Sequence, residues 1–175
     1  MIYNNYEIHG AEQVLPGDGG GFVTRRVPEN VYNALETDDA RRMCRISTGI
    51  ELRFVMLGDE TKLRIKTLGG IGGYQIFHGS IQGAWFESGF ITEESGEIVI
   101  KKPENLKTLE KIAKKFKQPF SADVVRVIIH ASEFEILGLD GDIRPPKPEE
   151  LPKKMLFAYG SSITHDMGGG AAQGW

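Results

Sequence analysis

The sequence predicts a mainly β domain, a β-sandwich or barrel with one inserted amphipathic helix, followed by the start of a different unit. Three observations carry that prediction. Short segments of alternating or β-branched character recur at short intervals between turn signals. Gly (22) and Pro (8) together make up 30 of 175 residues, above the average of roughly 12% yet below the disordered regime. A proline-rich stretch near the C-terminus then separates the strand-rich part from an apolar run of another kind.

Taken in order, Pro16-Gly17-Asp18-Gly19-Gly20-Gly21 reads as a flexible loop. Residues 28–43 hold a short helix or turns, because Val31, Ala34 and Leu35 share helical spacing. Ile46, Ile50, Leu52, Phe54 and Met56 alternate with polar neighbours, the mark of a half-buried strand. Gly58-Asp59 reads as the turn closing it, with Leu63, Ile65 and Leu68 on the partner strand of a hairpin. Strands are expected at Tyr74–His78, Ala84–Ile91 and Ile98–Lys101. Gly69-Gly70-Ile71-Gly72-Gly73 lacks the spacing of a dinucleotide fingerprint and reads as a hairpin or bulge. In NLKTLEKIAKKF, Leu106, Leu109, Ile112, Ala113 and Phe116 share one helical face, with lysines on the other as a solvated surface. Residues 122–143 read as a strand pair rich in Val and Ile, with Asp140-Gly141 as a tight turn.

Composition narrows the function classes. A net charge of -3 argues against a nucleic-acid partner. The single cysteine, Cys44, excludes an intrachain disulfide framework and reads as a small buried apolar residue. No apolar run approaches the roughly 18 residues of a membrane span, and MIYNNYEIHG has no signal-peptide pattern, so the expected location is cytoplasmic, with no membrane partner. His78 and His130 lie in strand candidates and read as satisfied polar residues. No metal constellation and no cofactor motif is found, so none is expected. Trp85 and Phe86 are core residues or a sugar-stacking platform.

Arg144 to Pro152 contains four prolines and reads as a semi-rigid linker, giving domains at 1–143 and 153–175. Met155 to Tyr159 is an apolar run without alternation, the pattern of a strand buried on both faces, and Gly160-Ser161-Ser162-Ile163-Thr164-His165 follows it. This block resembles the first block of the SGNH (GDSL-type) hydrolases. The upstream part is similar to the N-terminal jelly-roll domain that some members carry, and the resemblance implies a jelly-roll-like β-sandwich at 1–143. It implies that Ser162 is the catalytic nucleophile and that its backbone N–H donates to the oxyanion, and that 153–175 is the truncated start of the hydrolase domain. The family's Gly-x-Asn-Asp and Asp-x-x-His blocks do not occur here. The expected function is therefore an accessory or cleft-forming domain of a serine esterase acting on a small acyl ester or acetylated carbohydrate, inactive alone, whose partner is the missing catalytic domain. The alternative is a free-standing carbohydrate-binding β-sandwich.

Overall fold

The computed structural model describes residues 1–80, 86–92 and 95–154. The protein is mainly β. Among the described residues there are ten strands, β1 (Ile2–Tyr3), β2 (Tyr6–His9), β3 (Gln13–Pro16), β4 (Phe22–Arg25), β5 (Ile50–Thr67), β6 (Gly72–His78), β7 (Phe86–Ile91), β8 (Gly96–Lys101), β9 (Val124–His130) and β10 (Phe134–Arg144). Helices α1 (Glu29–Ala34) and α2 (Asp38–Arg45) fall where short helical spacing is found, and α3 (Leu106–Lys115) is the amphipathic segment. The Thr37 hydroxyl caps α2 by accepting from the Ala40 N–H, and Asp38 and Asp39 occupy its first turn.

All ten strands belong to one antiparallel sheet with the path β3-β4-β10-β5-β9-β6-β7, on which β2 and β8 join β5. β5 is the axis. Residues 50–55 pair with β9 along one edge, and Glu51 to Arg53 pair with β2 along the other. Residues 60–65 pair with β8, and 61–67 with β10. Alternate residues of both halves, Ile50, Leu52, Phe54 and Met56 with Leu63 and Ile65, enter one core cluster. Val125, Val127 and Ile129 of β9 and Phe134 and Ile136 of β10 join them.

Two expected turns are absent. Gly58-Asp59 does not close a hairpin, because β5 runs through it for 18 residues. The tight two-residue turn needs left-handed backbone, and Gly58 is not among the positive-φ glycines. Asp140-Gly141 likewise lies inside β10, where Gly141 pairs with Thr61. A Cβ on Gly141 would lie 2.1 Å from the Thr61 hydroxyl oxygen, so close strand approach, not a turn, calls for glycine there. The expected pair at 122–143 is also rearranged: β9 and β10 both form, on opposite edges of β5. Gly69–Gly73 joins β5 to β6, which pairs with β9 and β7, so it is a crossing connection and not a hairpin.

The loop read as flexible is held in place. Glu135 on β10 is 0% exposed. Its carboxylate accepts from the N–H groups of Gly19 (2.7 Å) and Gly21 (3.0 Å) and lies 3.1 Å from the Lys66 ammonium. Burial raises this carboxyl's pKa, but the Lys66 and backbone N–H donors outweigh it and hold it below the usual range. A Cβ on Gly21 would come within 2.2 Å of the Ile136 carbonyl oxygen, so no other residue fits under the loop without displacing it.

Phe54 is fully buried at the centre of the shared core. Phe54→Ala is expected to destabilise the fold by about 3–5 kcal/mol, read from urea unfolding followed by circular dichroism. A loss below about 1 kcal/mol would contradict a single core common to both halves of β5.

Candidate functional site

The strongest chemical grouping among the described residues lies on the face of β2, β5 and β9 turned away from the core. Alternation sends Glu51 and Arg53 outward from β5, and register places Glu7 and Arg126 beside Arg53. Three of these four side chains are largely shut off from solvent. Glu51, Arg53 and Arg126 are only 6–8% exposed. The Glu51 carboxylate accepts from both Arg53 (2.9 and 3.2 Å) and Arg126 (3.1 Å, with a second, shorter contact to Arg126 Nε). Glu7 stands 3.8 Å from Arg53. Burial raises the Glu51 pKa, but the two guanidinium groups outweigh it and hold the carboxyl below its usual range.

The Phe120 ring covers this layer, 4.1 Å from the Arg126 guanidinium carbon and 5.1 Å from that of Arg53. Its position is fixed by the proline-rich segment. That segment does not project as a spacer; it lies against the domain. Arg144 grips Glu150 with two hydrogen bonds (2.6 and 2.8 Å), and a 3-10 turn forms at Pro148–Glu150. The Ser121 N–H donates to the Glu150 carbonyl, and Leu151 packs on Val55, Phe120 and Val124. The Arg144 pairing holds the Glu150 pKa below its ordinary value. Residues 144–152 thus take a defined place beside the layer in which Glu7 and Glu51 face Arg53 and Arg126.

Sequence reasoning missed this layer because it read the polar positions of β5 as solvent-facing. The only signal was an Arg or Glu at alternate positions of two β-branched strands. Arg126 lies 75 residues from Glu51, so their pairing emerges only from register.

The residues singled out in the sequence are not brought together. Ser162, His165 and the whole of 155–175 lie outside the described residues, as does Trp85; Phe86 begins β7. His130 lies over Gly73 on the outward face. His78 ends β6, 3% exposed and hydrogen-bonded to the Lys101 backbone. Cys44 is half-buried on α2, less enclosed than a core apolar residue.

No family model matches the chain, and no curated protein matches it. Among solved structures it is similar to the salicylyl-acyltransferase SsfX3 from a tetracycline biosynthetic pathway, with a TM-score of 0.56 and 9% identity. The match covers 82% of this chain and 39% of that one, so the chain spans well under half the length of the acyltransferase. The likeness is one of fold. These findings correct the family expectation: the assignment to SGNH hydrolases with a jelly-roll N-terminal domain does not stand, because no family model supports it and the structure matched is an acyltransferase of 9% identity. The ten-residue block at 156–165 was too short to carry it.

Two outcomes follow from these charges. Arg126→Met leaves Glu51 half-compensated in a dry environment and is expected to cost about 3 kcal/mol in urea unfolding; a change under about 1 kcal/mol would show that water reaches the layer. Burial lowers the His78 pKa to about 4. Unfolded histidine takes its proton near 6.5, so the stability this contributes is complete above that pH and is lost as pH falls toward 4, by up to about 3 kcal/mol. His9 and His130 are held down in the same direction, so the measurement compares the wild type with His78→Gln. The variant should show a flatter loss of stability between pH 6.5 and pH 4. Parallel curves would refute the role given to His78.

Proposed function

We propose that this chain is the non-catalytic β domain of a larger acyl-transfer enzyme, a serine-dependent carboxylic-ester hydrolase. The first catalytic segment would follow the strap at 144–152. In this reading Ser162 is the nucleophile at the end of the apolar run. The substrate is a small acyl ester, O-acetylated carbohydrate included. The observation that carries the reading is the strap itself. Arg144, Glu150 and Leu151 pin the outgoing chain on the charged face, which suits a domain that must hand its successor over in a fixed orientation. The fold likeness to part of a longer acyltransferase supports the same view.

A serine hydroxyl attacks an ester carbonyl only when a base takes its proton and preorganised donors receive the oxyanion. The sequence supplies the hydroxyl and, at Ser162, one candidate backbone donor. It has no Asp-x-x-His to act as base. The 175-residue chain is therefore expected not to turn over p-nitrophenyl acetate above a Ser162→Ala control. A longer protein from the same reading frame should do so, with at least about a thousandfold loss on Ser162→Ala. A reading frame ending at Trp175, or turnover by the short chain that survives Ser162→Ala, would overturn the proposal.

A further inference from the structure

β7 and β8 follow one another in the chain, yet among the described residues they do not pair: β7 bonds only to β6, and β8 only to β5. The two strands meet at one end, where Gly96 sits beside Ile91 and the Thr67 N–H donates to the Thr92 carbonyl. Two hollows, each lined by described residues of both strands, lie along the gap between them and are taken together as one cleft. Its narrow end is a hollow of about 250 Å³ between Tyr74, Phe90, Thr92 and Ser95. Its wide end is a hollow of about 690 Å³, with Glu87 on one wall and Val99, Lys101 and Asn105 on the other. That volume lies within the range of small-molecule sites.

The geometry points to this cleft as a binding site for a neutral, polyhydroxylated ligand, a saccharide chain of a few rings. Three features of the lining select that class. Among the described residues the wide end carries Glu87 and Glu104 against Lys101 and Lys102, and this balance favours neither an anion nor a cation. Lys102 is already committed, donating to the Leu57 carbonyl at 3.1 Å, whereas Lys101 is largely exposed, with a 3.9 Å contact to Glu60. Asn105 stands at the N-cap of α3, where its side chain ordinarily accepts from the helix, but it makes no capping hydrogen bond. An acceptor carboxylate, a donor ammonium and an amide that does both match vicinal hydroxyls, each of which donates and accepts. Phe90, 79% exposed beside the narrow end, and Val99 supply apolar surface for the C–H faces of a sugar ring.

This inference rests on the cleft alone and is independent of the esterase reading. The experiment is a heteronuclear NMR titration of the 175-residue chain with four neutral hexasaccharides, those of xylose, glucose (β-1,4), mannose and N-acetylglucosamine. At least one should give saturable shifts at Glu87, Val99, Lys101 and Asn105 with a Kd near or below about 1 mM. Glu87→Ala and Asn105→Ala, both surface changes, should each weaken it by about tenfold, and Val99→Trp, which fills the cleft, should abolish it. Unchanged far-ultraviolet spectra and melting temperatures establish that these variants are folded. No saturation by any of the four up to about 10 mM, shifts confined to another surface, or full affinity in the Val99→Trp chain would each overturn the inference. None of these results bears on Ser162, whose test is ester turnover in the longer protein.

Discussion

Each residue of a strand carries one backbone donor and one acceptor that must be satisfied once it is buried. β5 meets that demand over 18 residues by holding partners on both edges, in different places along its length. The first part is flanked by β2 and β9, the second by β10 and β8. Everything else is positioned by reference to it. β6 and β7 hang from β9, and β3 and β4 from β10. Because the inward residues of both parts of β5 enter one cluster, a disturbance in either part reaches the same core.

The outward side of the first part shows how expensive polar burial is managed. Two arginines and a glutamate at under a tenth exposure would be strongly unfavourable apart. Together they satisfy one another, and the aromatic ring of Phe120 lies over both guanidinium groups. Such a layer adds little net stability compared with an apolar one. What it does is make one placement of Phe120, and hence of the strap at 144–152, better than its neighbours. The strap and the layer therefore act as one device that holds residues 144–152 in a single placement against the sheet.

Much of this fold was legible where the signal is local. The helical face of Leu106, Leu109 and Ala113 and the alternation in Ile98–Ile100 each depend on a few neighbouring residues, and α3 and β8 form there. Turns were less legible. Gly58-Asp59 and Asp140-Gly141 look alike as dipeptides, yet both lie within strands, because partners far along the chain outweigh a short-range preference. The Gly17–Gly21 loop read as loose because glycine is permissive, whereas here it allows close contact with Glu135. The layer of Glu51 and Arg126 had no local signature beyond charged residues placed within apolar strands. Ser162 was chosen on a short motif, and the motif lies beyond the described part of the structure.

The anchoring of Glu135 has a consequence for biosynthesis. The Gly19 N–H and its acceptor are 116 residues apart in the chain. The β3–β4 hairpin leaves the ribosome early but has neither its carboxylate clasp nor its β10 partner until residue 135 emerges. At about 5–20 residues per second that is a delay on the order of ten seconds. Over that interval the edge of β4 that pairs with β10 keeps its backbone N–H and C=O groups unpaired within the sheet. The β3–β4 hairpin is thus made well before the strand and the carboxylate that secure it, whereas β1 and β2 need only residues 51–53 of β5.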